Sequence, residues 1–376
     1  DMVTICMFMA SSAGLQEVLV NSAVLEAIAG GINTAAGTIT AEQGAVGLAA
    51  GSVHNAGTVT SAGQLSIAVN GGAEQSLTLG DLGFGSRGGG GQWQAGTGLT
   101  LGVLEGDLTL DQDLSQEVAL IVQVVSGDLG IGSDVAVSSD QALTLLAGGD
   151  VRLAAGSTAA GALVQLQAGG ALTNAGSLST PGAALLIAQD FENAASGEVT
   201  ADQGLTISGA SSLTNAGALA SGSDLVLVSG GTIANLGGQI SAAGRLQAQG
   251  GQLNNQGGAQ LIAGAEMTLL ATTSITNLGA EIAAGGDVTL LTPEFSNLNE
   301  NNKTTVGFGS DHCISAIDLI FDEFCYEREL RNWTNEVVSQ QVGGSVSVGG
   351  DLLMLGDASG GQALGFVNQG LSLIHI

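Results

Sequence analysis

The chain has 376 residues, a formal net charge of -28 and only 6 Lys plus Arg, so it cannot offer the cationic surface that nucleic-acid phosphates require. Glycine occurs 62 times and proline twice, and aromatics make up 3% against a hydrophobic share of 44%. That balance excludes a disordered chain, which would be poor in aliphatics, and a wide globular core filled by aromatic rings.

Three cysteines, Cys6, Cys313 and Cys325, are too few for a disulfide scaffold and form no Cys-x-x-Cys pair. No apolar run approaches the roughly 20 residues of a membrane-spanning helix, so membrane insertion is not expected.

In chain order, residues 1–14 fit no repeat. Their apolar start lacks the basic flank of a signal peptide, and they stay unassigned. Residues 15–295 carry a repeat. Its first clear phrase is Val53, Asn55, Gly57 and Val59, with Asn33 standing one repeat before Asn55. The asparagine mark then disappears until Asn174, a gap close to six repeats, while alternating segments such as Leu143, Leu145, Val151 and Leu153 continue.

The mark returns at Asn174, Asn193, Asn215, Asn235, Asn255, Asn277 and Asn297, at a nearly constant interval of about 20 residues. A large apolar residue stands two places before each, from Leu172 and Phe191 to Ile275 and Phe295. A glycine often stands two places after, as at Gly176, Gly217, Gly237, Gly257 and Gly279.

Apolar residues alternating with polar ones have strand periodicity, and glycine every few residues opposes helix. A unit of about 20 residues cannot bury its own apolar face, so successive units must stack. The expected fold is all-β: a parallel β-helix or solenoid, right-handed, with coils of about 20 residues. Fifteen or so coils at about 4.8 Å each give a rod of roughly 70 Å. The asparagines are expected to form a structural ladder at one corner, because Asn tolerates left-handed turns and stacked amides bond along the axis. The competing reading is a ligand-binding row. The following glycine is expected to supply positive φ.

Residues 296–341 interrupt the pattern. Glycine thins out, and Lys303, Arg328, Arg331, Tyr326 and Trp333 gather there. Ile314, Ile317, Phe321 and Phe324 have helical spacing, so an inserted loop or small subdomain with a short amphipathic helix is expected. Asp311, His312 and Cys313 are adjacent, but sequence neighbours do not make a nucleophile and base. Cys313, Cys325 and His312 match no standard metal spacing. Cys313 and Cys325 are either a disulfide, suited to an oxidising compartment, or two free thiols.

Asp318, Asp322, Glu323 and Glu327 are read as a solvated face rather than an acid–base pair. The glycines from Gly88 to Gly91 lack the Lys-Ser/Thr of a phosphate loop. No catalytic residue, metal ligand or cofactor site is assigned. Strand alternation resumes over residues 342–370. Residues 371–376, Leu-Ser-Leu-Ile-His-Ile, break it and equal one reading frame of a transposon-end sequencing adapter, so they are expected to be an artefact.

The phrases Leu-Thr-Asn-Ala-Gly-Ser-Leu (172–178) and Leu-Thr-Asn-Ala-Gly-Ala-Leu (213–219) resemble the haemagglutinin repeat of two-partner secretion exoproteins. So do Ala-Gly-Gly-Asp-Val-Thr-Leu (284–290) and Val-Gly-Gly-Asp-Leu-Leu-Met (348–354). These exoproteins include filamentous haemagglutinins and the sticks of contact-dependent inhibition systems.

The resemblance implies a non-enzymatic shaft, an internal fragment of a protein secreted to the surface of a Gram-negative bacterium. Its implied partners are an outer-membrane transporter during export and a receptor or glycan on a host or neighbouring cell, with a distal toxin as possible cargo. A β-helix polysaccharide lyase or hydrolase is the alternative, disfavoured by scarce bases and aromatics. An ice- or surface-binding solenoid is the third reading, resting on Thr38/Thr40 and Thr58/Thr60, a row that does not continue.

Overall fold

The structure is a computed structural model. It describes residues 38–72, 75–82, 84, 92–298 and 343–356 in full, and the backbone of further strands at 2–6, 13–14, 17–20, 22–33, 300–319, 322–342, 365–368 and 373–375. The described residues contain strands and turns and no helix.

One coil shows how the sequence makes the fold. In Ser177–Thr180 the buried residues are Leu178 and Thr180. After the turn at Pro181 and Gly182, strand Ala183–Asn193 buries Ala184, Leu186 and Ala188, then Phe191 and Asn193. Two consecutive exposed residues, Gln189 and Asp190, break the alternation and turn the chain through a corner. Each coil therefore lays three short strand segments around a narrow interior, on what are here termed its first, second and third faces.

Successive coils pair in parallel on all three faces. On the first, Leu178 faces Val199, then Leu219, Ile240, Leu261 and Ile282. On the second, Leu186 faces Ile207, then Leu227, Ala248, Leu269 and Leu290. On the third, Phe191 faces Leu213, then Ile233, Leu253, Ile275 and Phe295. The interior is thus three aliphatic stacks with little room for aromatic rings, which is why the chain builds its core from Leu, Ile, Val and Ala. The solenoid has about 12 turns of ~21 residues.

The stretch without the asparagine mark contains five coil steps, not six. Leu48 faces Ile67, then Leu101, Val122, Leu145 and Leu166. One of these coils is long, since the register neighbour of Leu65 is Leu99, well beyond the usual repeat. Its surplus lies between Ser76–Thr78 on the third face and Gln92–Ala95 on the first, where Phe84 stacks on Trp93 at 5.3 Å.

The expected helix in residues 296–341 is not formed. Glu300–Leu319 and Asp322–Val342 are two long strands paired antiparallel. The segment is rich in β-branched and aromatic residues such as Thr304, Thr305, Val306, Val337 and Val338, whose preference for extended backbone outweighs a few apolar residues at helical spacing. Beyond this insertion the stack resumes: Ser345–Val348 pairs with Glu281–Ala284, and Gly344 N donates to the carbonyl of Leu298 at 3.2 Å.

The segments outside the repeat also hold strands in register. Val3 faces Ala23, and Val346 faces Leu373.

Candidate functional site: two polar columns at the corners

The asparagines occupy the last inward position of the third face and are 0–1% exposed. Each side-chain Nδ2 donates to the Oδ1 of the asparagine one coil on. The distances are 2.8 Å for Asn174 to Asn193, Asn193 to Asn215 and Asn215 to Asn235, and 2.9 Å for Asn235 to Asn255. They are 2.8 Å for Asn255 to Asn277 and Asn277 to Asn297. The second N–H is used as well. Asn174 donates to the carbonyl of Glu198 at 3.2 Å, Asn235 to Gln260 at 3.0 Å, and Asn277 to Ser345 at 3.1 Å. The column thereby ties the end of the third face to the start of the first.

Among the described residues the chain of bonds has two loose ends. Asn174 Oδ1 and Asn297 Nδ2 are buried without a partner. Asn174 has Leu153 as its register neighbour in the preceding coil, and an aliphatic side chain supplies no donor. Beyond Asn297 the register neighbour is Asn368. The phrase Phe366, Asn368, Gly370 has the same apolar, Asn, Gly spacing as the earlier rungs. The insertion at 300–342 displaced it from the regular count, so spacing alone missed it. At the other end Asn33 faces His54 rather than Asn55, one place out of phase with the repeat read from the sequence.

Of the two expected reasons for asparagine, left-handed backbone and amide stacking, only the second operates. No described asparagine has positive φ; the only described non-glycine residue that does is Asp134, at φ 60°. The amide itself is what the position uses. The glycines split into two kinds. Gly237, Gly257 and Gly279 do have positive φ, at 72°, 72° and 57°. Gly176 and Gly217, expected to do the same, do not have positive φ. Gly217 sits where a Cβ would meet the Gly197 carbonyl at 2.1 Å, and Gly197 where one would meet Asn193 Oδ1 at 2.3 Å and the Asn174 carbonyl at 2.4 Å, so both are there to let neighbouring coils approach.

A second column, of carboxylates, stands at the corner between the second and third faces. Asp107 Oδ1 accepts from Asp128 N, Asp128 Oδ1 from Asp150 N, and Asp150 Oδ1 from Ala171 N, each at 2.8 Å. At the corner between the first and second faces, Asp224 and Asp287 accept in the same way from Arg245 N and Asp351 N, again at 2.8 Å. This accounts for the recurring Gly-Asp and Gly-Gly-Asp phrases. The carboxylate lies so near the next coil's turn that a Cβ on Gly149 or Gly170 would come within 2.3 and 2.2 Å of it. Arg152 bonds Asp150 at 2.5 Å and approaches Asp128 to 3.8 Å.

Among the described residues no three of His, Cys, Asp and Glu cluster in a metal-binding arrangement. The chemistry-bearing residues of the insertion lie on the two-stranded ribbon. Its backbone register sets His312 opposite Glu329 and Cys313 opposite Arg328, while Cys325 stands opposite Ala316. The cysteines are thus three register positions apart, about 10 Å along the strands, where a disulfide needs Cα atoms within about 7 Å. The side chains of Cys313, Cys325, Asp318, Asp322, Glu323 and Glu327 lie outside the described residues, as do residues 88–91.

A narrow stack of near-identical coils, held at its corners by internal amide and carboxylate columns, is the architecture of a shaft. The haemagglutinin-repeat model matches residues 11–79, 103–194, 187–237 and 230–291, and the chain belongs to that family. The break in the match after residue 79 falls on the long coil, and the match ends just before the antiparallel ribbon. Haemagglutinin-repeat proteins are secreted surface adhesins of Gram-negative bacteria, and the family is structural rather than enzymatic. No curated protein and no solved structure matches the chain.

Proposed function

We propose that this chain is the shaft of a secreted Gram-negative adhesin, which holds a binding region or a distal toxin away from the cell and is exported through a partner transporter in the outer membrane. The observation that supports it is the family match running along a solenoid whose described polar side chains bond mainly from coil to coil. A receptor or glycan on a host or neighbouring cell is the proposed target.

The asparagine column is proposed as structural, not as a ligand row. Its amides are buried, and their hydrogens between Asn174 and Asn277 are already engaged. A ligand would have to displace hydrogen bonds that are sheltered from water and costly to leave unmade.

The test is to sequence the genes flanking the source locus and to express the chain with the neighbouring transporter. A transporter gene next door, and export that depends on it, are expected. A locus without such a gene, together with purified chain on beads that binds no host or neighbouring cell, overturns the proposal.

A further inference from the structure

The outward positions of the second face form two columns that run through thirteen successive coils. The register carries Gly47 and Ala49 through Ser66 and Ala68, and on in unbroken order to Leu353 and Leu355 in the thirteenth coil. From Gly47 to Leu355 no residue at these positions is charged, in a chain with 34 Asp plus Glu and 6 Lys plus Arg; one coil earlier the register sets Glu26 opposite Ala49. The other faces do not share this. Outward positions of the third face hold Asp107, Asp128, Asp150, Asp190, Glu192 and Glu294, and those of the first face hold Glu198 and Glu281.

The uncharged face is strongly apolar towards its C-terminal half. Leu185, Ile187, Val226, Val228, Leu270 and Leu291 point outward there, among threonines and glutamines. None of its outward positions is aromatic, so it offers no ring on which a sugar could stack.

Two of the chain's excursions leave the stack away from this face. The surplus of the long coil and the ribbon of 300–342 both leave between a third-face strand and a first-face strand. In a three-sided coil that corner lies opposite the second face. At one edge of the face, Ala142, Ala183 and Gly204 leave a hollow of about 440 Å³ beside Leu163, which is 54% exposed.

We propose that the second face is a homotypic docking surface, on which a second copy of this chain packs sheet against sheet. Charge selects the occupant. Two shafts of net charge -28 repel each other, and the acids on the first and third faces make those the worst surfaces to bring together. The second face is the one whose outward positions carry no carboxylate from Gly47 onward, the acids standing at its two edges.

Its area suffices. Thirteen coils at about 4.8 Å by five residues at about 3.3 Å give roughly 1,000 Å² on each copy. The pair then buries about 2,000 Å², within the range of stable protein interfaces. A two-fold contact must be self-complementary, and Leu163 beside its hollow supplies a protrusion and a recess at one site. This inference does not depend on the adhesin reading: a shaft of any purpose pairs in this way or does not.

The experiment is sedimentation equilibrium on the full chain at about 100 μM, a concentration at which an interface of this size is populated. The expected mass is twice 36.8 kDa, unchanged at about 1 M salt, where surface charge effects are screened. Val228→Glu with Leu270→Glu, both outward, is expected to weaken the dimer at least about tenfold while leaving the β circular dichroism intact. The matched control, Thr214→Glu with Thr276→Glu on the third face, is expected to leave it unchanged. If the first pair loses its β signal, Gln249→Glu replaces it, with a several-fold weaker dimer expected. A monomer in every condition overturns the proposal. So does a dimer that the second-face changes leave untouched, or one that the control pair disrupts equally.

Discussion

Two stretches of the same solenoid fill one corner in opposite ways. From residue 174 to 297 each coil places a buried asparagine at the end of the third face, and every rung bonds the next. In the three coils before it, the same register position holds Leu110, Ile131 and Leu153, all buried. In these coils the position is either aliphatic or part of a continuous amide column, while the buried Asn55 is satisfied by backbone, donating to the Gln92 carbonyl and accepting from Gly57 N. A stack of one kind satisfies itself. A change from one to the other leaves a polar atom stranded, and Asn174 Oδ1 is that atom. Buried polar groups are stable as complete networks and costly as broken ones.

The largest loss is expected in the middle of the column. Asn235→Asp replaces a donor to Asn255 with a buried carboxylate facing an amide oxygen, and a loss of about 3–5 kcal/mol is expected. Because repeat stacks open locally, the readout is amide hydrogen exchange in strand Thr232–Leu236, which should lose its protection before distant coils do.

A smaller effect separates the two kinds of glycine. Gly197→Ala forces a Cβ onto Asn193 Oδ1 and the Asn174 carbonyl, at about 2–3 kcal/mol. Gly258→Ala meets open space and suffers only from its φ of +77°, at about 1 kcal/mol. Equal losses in thermal unfolding would show that close approach is not the constraint.

Position along the column gives a finer test. Asn235→Leu strands Asn255 Oδ1, whereas Asn174→Leu strands Asn193 Oδ1 but also removes an oxygen that is already unpartnered. The end substitution is expected to cost about 1 kcal/mol less than the central one. Urea midpoints that fail to separate the two would mean the column does not act as a chain.

The smallest effect is at the carboxylate column. Asp128→Asn keeps an oxygen for Asp150 N and loses only the attraction to Arg152, where both groups are more than a third exposed. Less than about 0.5 kcal/mol is expected, falling further in salt. For the ribbon, the register predicts that a thiol titration counts Cys313 and Cys325 as two free thiols. A bridge between them would show that the strands slide by three positions.

Much of the fold was legible because its signals are local. Alternation, glycine-rich turns and a mark at a steady interval are properties of one coil read many times. The asparagine positions could be read in the same way. Signals that depend on register were hidden. Asn368 lost its place in the count when the ribbon intervened between strands 294–298 and 345–348 of the stack. The long coil turned five steps into an apparent six. The helical spacing of Ile314, Ile317 and Phe324 misled because a short window holds few matches, and cross-strand pairing along two long strands outweighs them.

By itself the sequence determined that the chain is a stack. Its apolar stripes have strand period, each unit is too small to bury its own, and only neighbours of the same kind can cover them. Tertiary structure decided which residues became neighbours one coil apart. Hydrogen bonds from Asn to Asn, carboxylates under the next coil's amides, and one face free of charge from Gly47 onward are all relations across coils. Their strength depends on a lateral register set by insertions and long turns, and no local pattern encodes that register.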